Sequence, residues 1–402
     1  MVINQAYAVV NEALKQARGE KAVSIQNLNG LISTGKEILS SQTSTDAFLN
    51  ALVDRIYKTI ISNRAYEAKT RGLVFDSSEW GAAIQEVYVE PFEASENAAY
   101  KVSPSDEPIP FNLGTHTKPR VKVNIYSNRD TWKFTVSIPE NQLKTAFLSN
   151  EGLSAFIAGI FTEMNSAISE SIEDMVELCE ANFIAEKLVA EANASVKGIH
   201  AINILKKYKT DTGEGANLTS NTCMNDAGFW KYFGKEVKRT MKFLARRTRI
   251  YNTEGYVRNV PEDELRIHML GDVAASYATY LEADTFNKEL LALPGYEEID
   301  SFQGIGLDTS FKEVSKIHVN TAKENKAVEQ TGIACVLFDP MAMGVIYEDQ
   351  GSSAAYDNEH RLTKYWFYND LGMMNNLSRN AVVFYIADDA EDYVANNKVT
   401  SA

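Results

Sequence analysis

The sequence predicts an α+β fold, because one long helical segment and several groups of strand-like segments follow one another along the chain. An apolar stripe at helical spacing runs through the proline-free residues 152–192, whereas β-branched and aromatic residues are concentrated in residues 72–138 and in the last third of the chain. The chain has 402 residues, of which 45% are hydrophobic. It can therefore fill the cores of two or three subdomains.

The first 71 residues predict a polar arm followed by a helix. Residues 1–45 contain one short helical segment and a stretch rich in Ser, Thr, Gln and Asn, which has little to pack on within its own subunit. Residues 46–71 begin with an amphipathic helix that places Phe48, Leu52 and Ile56 on one face.

Residues 72–138 predict a long β-hairpin with a proline-rich tip. Two strand-like stretches, AAIQEVYVEPF and VKVNIYSNRDTWKFTVSI, flank a segment that holds most of the prolines: five of the nine in the chain lie between Pro91 and Pro119. Proline cannot donate to a β-ladder, so this segment is expected to be a loop. A two-stranded hairpin is marginally stable alone in water, so it is expected to lie on another surface.

The proline-free stretch after Pro139 predicts one long helix of roughly 60 Å. Its apolar stripe consists of Leu153, Phe156, Ile160, Met164, Ile168, Ile172, Met175, Cys179 and Phe183. Its carboxylates lie mostly off that stripe: Glu163, Glu170, Glu173, Asp174, Glu177 and Glu180. We interpret them as a solvated face, with an acidic docking face for an assembly partner as the alternative.

Residues 228–250 predict a second amphipathic helix with the strongest basic patch of the chain. The apolar side consists of Trp230, Phe233, Val237, Met241 and Leu244. The basic side consists of Lys235, Lys238, Arg239, Lys242, Arg246 and Arg249. Two interpretations remain open: a solvated or subunit-bridging helix, for which the carboxylates of residues 261–265 are near in sequence, or a nucleic-acid contact.

The rest of the chain predicts a loop, a compact α+β region and a returning sheet. Residues 209–222 have loop composition, and LRIHML is followed by a further helical segment. The expected strands of the last third are IACVLF, GVIYED, RLTKYWFYND and NAVVFYIA, and residues 349–360, DQGSSAAYDNEH, are expected to form a turn.

Composition and motifs predict no catalytic residue, no cofactor and no metal site. The net charge of −14 argues against a surface built mainly to bind phosphates. Phosphate-loop, dinucleotide and nucleophile-elbow motifs are missing, and the five histidines are scattered singly. Cys179, Cys223 and Cys335 are expected to be small buried apolar residues. No apolar run approaches the length of a membrane span, and the start of the chain lacks signal-peptide character, so a soluble cytosolic protein is expected.

Several short stretches resemble the major capsid proteins of phi-29-like podophages, in family order along the chain. They are FLNALVDRI at 48–56, IQEVYVE at 84–90, LKTAFLS at 143–149, and a closing segment with Tyr347, Tyr365, Trp366 and LSRNAVVF at 377–384. The order of arm, hairpin, long helix, α+β middle and returning sheet resembles the Hong Kong 97-type capsid fold.

The resemblance implies a division of the chain into the parts of that fold. These are an N-terminal arm (1–45), a helix leading into the peripheral domain (46–71), an extended β-hairpin loop (72–138), the peripheral domain with its spine helix (139–205), an axial α+β domain (206–335), and the returning sheet with the C-terminal tail (336–402).

It also implies a structural subunit of a phage head, made in the host cytoplasm and located in the virion. Copies would assemble into the pentamers and hexamers of an icosahedral or prolate shell that encloses double-stranded DNA without sequence specificity. The implied partners are a separate scaffolding protein and a portal at one vertex, with no membrane. Phe111 or Trp132 in the hairpin is predicted to bury against an adjacent subunit.

Two other functions are compatible with the sequence. One is a cellular nanocompartment shell of the same fold, which would need a cargo partner but neither scaffold nor portal. The other is a cytosolic α+β enzyme whose site lacks a known motif.

Overall fold

The computed structural model describes residues 11, 69–76, 84–92, 94, 118–126, 130–139, 150–282, 295–303, 308–321 and 326–397. The amphipathic helix that contains Phe48 and the hairpin tip that contains Phe111 lie outside the described residues. The predicted arm also lies outside them, apart from Asn11.

The described strands and helices confirm the predicted mixture of α and β structure. The strands are β1 (Val74–Asp76), β2 (Ile84–Val89), β3 (Val121–Tyr126), β4 (Asp130–Pro139), β5 (Ala201–Asn203), β6 (Arg266–Leu270), β7 (Glu297–Ile299), β8 (Ile317–Asn320), β9 (Ala327–Gln330), β10 (Ile333–Phe338), β11 (Met343–Asp357), β12 (Leu362–Asn375) and β13 (Ala381–Tyr385). The helices are α1 (Asn150–Asn193), α2 (Ile204–Thr212), α3 (Ala227–Leu244), α4 (Gly271–Glu282), α5 (Phe311–Val314) and α6 (Tyr393–Asn396).

The chain forms two compact units, each made of three separate stretches of sequence. The first unit comprises Met1–Trp80, Arg129–Cys179 and Gly344–Met373. The second unit comprises Gly81–Asn128, Glu180–Met343 and Met374–Ala402. The domain limits that the resemblance implies stay predictions.

The first unit is built on a four-stranded sheet in the order β1-β11-β12-β4. β1 runs parallel to β11, and β4 pairs antiparallel with β12 from Pro139 opposite Leu362 to Asp130 opposite Leu371. Burial alternates along the first half of β12, where Tyr365 and Phe367 point into the core. The predicted turn at residues 349–360 is wrong over most of its length. β11 continues to Asp357, because pairing in the sheet overrides its small polar composition.

The predicted long helix is confirmed as α1, whose 44 residues span about 66 Å. Met164, Met175, Cys179 and Phe183 of its predicted stripe are buried. The prediction of a solvated acidic face is wrong at Glu180, which is fully buried. From Cys179 onwards the helix is buried on nearly all sides, so position relative to the stripe no longer decides exposure.

The second unit is built on a five-stranded mixed sheet in the order β5-β13-β10-β6-β7. Every residue of β10 and β13 is buried, as their unbroken apolar sequences predict. An aromatic cluster joins the sheet to the helices: Phe233 of α3 contacts Phe384 of β13 edge-on at 6.2 Å and Tyr277 of α4 at 5.9 Å between ring centroids. The predicted loop at residues 209–222 is wrong at its start, because α2 continues to Thr212.

Gly332 is required where β10 begins. Its φ of +78° lies in the left-handed region, and a Cβ atom there would lie 1.8 Å from the carbonyl oxygen of Ile386. The absence of a side chain lets Ile386 donate its N–H to the Gly332 carbonyl at 2.7 Å. This contact holds the segment after β13 against the start of β10.

The predicted hairpin is present as the antiparallel pair β2–β3, in the second unit. The strand-like sequence at 121–138 is two strands rather than one, because β4 pairs with β12 in the first unit. Among the described helices, none has the length and apolar character needed to cross a membrane.

Candidate functional site

The root of the β2–β3 hairpin is an ionic cluster centred on the Glu86 carboxylate, whose side chain is only 11% exposed. Arg258 Nη2 donates to Glu86 at 2.8 Å, and Arg379 Nη2 lies 2.7 Å from the same oxygen, Oε1. Asn376 Nδ2 and Ser378 Oγ donate to the other oxygen, Oε2. One side chain of the hairpin therefore binds residues that lie far away in sequence.

A pair of stacked aromatic rings adds to this hairpin root. The Tyr88 ring stacks on Tyr256 with 4.2 Å between centroids, and the Val257 N–H donates to Tyr88 Oη at 3.0 Å. Lys122 of β3 lies over the other ring, with Nζ 4.7 Å from the Tyr256 centroid. Both strands of the hairpin thus contact the segment that precedes Arg258.

Arg258 and Arg379, which bind Glu86 of the hairpin, are themselves fixed by hydrogen bonds. Arg379 Nη1 donates to Asp339 at 3.2 Å, and Asn380 Nδ2 donates to the Arg258 carbonyl at 3.1 Å. Burial raises the pKa of Glu86, but the hydrogen bond from Asn376 and the positive charges of Arg379 and Arg258 lower it by more, so this pKa lies below its ordinary value. The carboxylate is charged at neutral pH.

The opposite face of the hairpin is apolar and exposed. Val87 pairs with Val123 and Val89 pairs with Val121 across the two strands, and Ile125 continues the row opposite Gln85. The exposed fractions are 57% for Val87, 46% for Val123 and 64% for Ile125. We call these five β-branched side chains, Val87, Val89, Val121, Val123 and Ile125, the hairpin apolar face. The alternation is thus inverted, with the charged residue inside and the valines outside.

The predicted basic helix is α3, and its apolar stripe is buried as expected. Lys235, Arg239 and Lys242 are exposed on the helix, and Lys238 is half-buried there. Arg239 donates to the buried Glu236 at 3.2 Å. The prediction is wrong in placing Arg246 and Arg249 on this helix, which ends at Leu244; they lie in the loop that follows.

That loop contains an open pocket of about 480 Å³, which we call the basic pocket. It is lined by Phe243, Arg246, Arg247, Thr248, Ile250 and Tyr251. The apolar side chains at its rim are accessible, with Phe243 39% and Ile250 50% exposed. Arg247 was missing from the predicted basic set, although the run ARRTR contained the signal.

Lys187 is a fully buried lysine that the sequence analysis missed. Its Nζ donates to the Tyr251 carbonyl at 3.0 Å and lies 5.4 Å from the Phe183 ring. Burial lowers the pKa of Lys187 to about 7. Burial, with a contribution from Lys187, lowers the pKa of His200 to about 4. The helical spacing of the sequence gave no sign that Lys187 is buried.

His268 and the three cysteines, which the sequence also singled out, are buried. His268 Nδ1 lies 2.9 Å from the Glu180 carboxylate, which explains how that acid is accommodated inside. The three cysteines are buried, as predicted, and burial raises the pKa of the Cys223 thiol to about 12. Within the described residues, no group of His, Cys, Asp or Glu side chains is arranged to hold a metal ion.

The prediction that Trp132 lies in the hairpin is wrong, because β4 pairs with β12 and not with a hairpin strand. Trp132 lies on β4 opposite Asn369, and 36% of it is exposed. Phe111 lies outside the described residues. Both subunit contacts therefore stay predictions.

Comparison with known proteins identifies relatives of the whole arrangement. The model of a family described as Phi29-like phage major capsid protein matches residues 7–385. The major capsid protein of Bacillus phage B103 is 24% identical over 313 residues, which are 76% of this chain and 62% of that protein. The major capsid protein of Bacillus phage PZA is 23% identical over 189 residues, 46% of this chain and 40% of that protein. The matched regions cover less than two thirds of either relative.

A solved structure described as the capsid of Staphylococcus phage Andhra has a similar fold. It aligns with 80% of this chain and 84% of its own, with a TM-score of 0.52 and 10% sequence identity. At that identity the likeness concerns the fold alone. It agrees with the predicted α+β capsid fold of the Hong Kong 97 type.

Proposed function

The chain belongs to the Phi29-like phage major capsid protein family, and from this membership we propose that it is the structural subunit of a phage head. Copies assemble into the pentamers and hexamers of an icosahedral or prolate shell that encloses double-stranded DNA. The subunit acts by binding other copies and does not catalyse a reaction.

The observation that carries this proposal is the hairpin apolar face. Its five β-branched side chains are exposed to solvent on a two-stranded hairpin. The other face of the hairpin is bound through the ionic cluster around Glu86. Burying each of them would contribute roughly 1 kcal/mol, and a contiguous apolar patch of this kind marks an interaction surface. A neighbouring copy that covers it gains this energy, whereas an isolated subunit does not.

We predict that Val123→Glu blocks assembly while the subunit stays folded. Val123 is 46% exposed at the centre of the hairpin apolar face, so a carboxylate costs little in the free subunit but would be buried without a partner in the shell. Assembly is measured by negative-stain microscopy and sedimentation, alone and with any co-encoded scaffold-like protein, and folding by circular dichroism.

Val196→Glu is the matched control, because it makes the same substitution at a valine that is 65% exposed outside the hairpin. We expect this variant to form shells like the wild type. Normal shells from Val123→Glu would refute the role of the hairpin apolar face. A wild-type chain that stays monomeric with and without the scaffold-like protein would refute the proposed function itself.

We predict that Trp132→Ala gives shells that are less stable to heat than wild-type shells. Trp132 offers a large apolar ring, 36% exposed, on β4, and such rings anchor protein interfaces. The measurement compares shell dissociation temperature with the melting temperature of the free subunit. If Trp132→Ala lowers neither, or lowers only that of the free subunit, Trp132 does not contact a neighbour.

The proposal extends to the partners and the location of the shell. A separate scaffolding protein directs closure, a portal occupies one vertex, and the enclosed DNA is held without sequence specificity. The subunit is made in the host cytoplasm and becomes part of the virion. Shells that close only when the scaffold-like protein is present would distinguish this phage head from a nanocompartment.

A further inference from the structure

We propose that the basic pocket of one copy receives the acidic turn at residues 261–265 of a second copy. This inference rests on the proposed self-assembly and deepens it by naming a contact between neighbouring subunits. Two different surfaces of the chain meet in this contact, so it can repeat from copy to copy into a ring.

The basic pocket combines cations with exposed apolar surface. Arg246 and Arg247 line it, and Phe243 and Ile250 add accessible apolar groups; Arg249, which follows in sequence, is exposed. Among the residues that the structure describes, none forms an ion pair with these three arginines. Guanidinium groups are well suited to bidentate binding of carboxylates, and arginine next to exposed aromatic surface is typical of protein interfaces.

The acidic turn is compact and has the complementary charge. Glu264 and Leu265 donate their N–H groups to the Pro261 carbonyl at 3.2 and 3.1 Å, which closes the turn, and Leu265 is buried beneath it. Glu262, Asp263 and Glu264 point outwards, and they too lack an ion pair with any described residue. These three carboxylates, which have no ion pair within the described part of the chain, are complementary in charge to the two arginines that line the basic pocket.

Backbone hydrogen bonds within one subunit order the loop of the basic pocket and the start of the acidic turn. Thr248 and Arg258 exchange two backbone hydrogen bonds of 2.9 and 3.0 Å, and the Val260 N–H donates to the carbonyl of Leu244 at the end of α3 at 2.9 Å. Asn252 Nδ2 donates to the Tyr256 carbonyl at 2.7 Å. Since these contacts order the loop and the start of the turn, docking costs little conformational entropy.

Within the described residues, no ion pair joins the acidic turn to the basic pocket of the same copy. A chain with a net charge of −14 repels its own copies at long range. The basic pocket supplies a local attraction for an acidic surface, and every copy carries the acidic turn. A second copy therefore accounts for the pocket and for the turn together.

The test uses four full-length variants, which reverse the charge of the pocket, of the turn, of both, or of a control surface. R246E/R247E reverses the pocket, E262K/E264K reverses the turn, and a fourfold variant carries all of these changes. K235E/K242E is the matched control, because it makes the same change in net charge at exposed residues of α3 outside the pocket. Self-association is measured by sedimentation velocity at low and high salt, and melting temperature verifies folding.

We expect the pocket variant alone and the turn variant alone to need about tenfold higher concentration than the wild type for half-association, since like charges then meet across the contact. An equimolar mixture of these two variants should regain association, because the intact pocket of one receives the intact turn of the other. The fourfold variant should also regain it, and the α3 control should match the wild type.

The proposal is overturned if both reversals associate as the wild type does. It is also overturned if the mixture and the fourfold variant gain nothing over the single reversals. Loss of DNA affinity in R246E/R247E, with self-association unchanged, would assign the pocket to nucleic acid instead. Absence of association in the wild type would overturn the proposed function as well. If the wild type associates but the variants do not behave as expected, only the pocket–turn contact is overturned.

Discussion

Replacing Glu86 by Gln is expected to lower the free energy of local opening of the β2–β3 hairpin by about 2–4 kcal/mol. The change keeps the shape of the side chain but leaves the guanidinium groups of Arg258 and Arg379 without its charge, and these are only 13% and 24% exposed. Hydrogen exchange is expected to show protection of the β2 and β3 amides reduced about 30- to 700-fold.

Glu90→Gln is the matched control for this prediction. Glu90 follows β2 in the same hairpin and lies 3.7 Å from Arg120 and 3.6 Å from Lys122, whose side chains are 83% and 49% exposed. Ion pairs of that kind contribute at most about 1 kcal/mol. Equal effects of the two substitutions would show that the root does not hold the hairpin.

The lowered pKa of Glu86 gives this prediction a pH dependence with a definite sign. A carboxyl whose pKa is lower in the folded protein adds stability above its ordinary pKa of 4.5, and this stability is lost as pH falls through the lowered value. Protection of the wild-type hairpin is therefore expected to fall in acid below about pH 4. In Glu86→Gln the same change should be absent.

Replacing Lys187 by Met is expected to stabilise the subunit by about 2–4 kcal/mol at pH 6. Burial lowers the pKa of Lys187 from 10.5 to about 7, so below pH 7 the folded protein holds a charged amine inside its core. Met fills a similar volume without charge. It loses the hydrogen bond to Tyr251, which contributes about 1 kcal/mol, and the contact of the amine with the Phe183 ring.

The sign of the effect reverses with pH. Between pH 7 and 10.5 the unfolded chain binds more protons than the folded chain, so the wild-type free energy of unfolding rises with pH over this window. Near pH 10 the Met variant should no longer have the higher free energy of unfolding. The wild type should then be the more stable protein, because it keeps the hydrogen bond to Tyr251. Urea unfolding at pH 6, 8 and 10 measures both curves.

Lys197→Met is the control for the buried lysine. Lys197 also donates to backbone carbonyls, those of Glu191 and Ala192 at 2.8 Å, but its side chain is exposed. Its replacement is expected to lower stability slightly and by the same amount at pH 6 and pH 8. A loss of stability in Lys187→Met at pH 6 would contradict the prediction.

Local patterns predicted the elements of this fold well where burial is uniform or regularly periodic. The stripe from Met164 to Phe183 predicted α1, and the unbroken apolar runs predicted β10 and β13. Those signals depend only on side chains a few residues apart, which is the range over which helical and strand periodicity acts. The order of these elements and several short stretches then carried the resemblance, which added the family.

The same patterns failed where a distant partner decides the outcome. Alternation along β2 indicates two different faces, but not which one is buried. Glu86 faces inwards because it binds Arg258 and Asn376. These partners lie 172 and 290 residues further along the chain, so local sequence could not reveal them. Residues 349–357 extend β11 although their composition favours a turn, because they are part of a sheet.

The sequence by itself determined the α+β class, the long helix, the buried strands and the membership in a capsid family. The tertiary structure alone decided that Glu86 and Lys187 are buried, that valines form the outer face of the hairpin, and that Arg246 and Arg247 line a pocket. The physical reason is that periodicity records local geometry, whereas burial and charge pairing depend on groups brought together from distant parts of the chain.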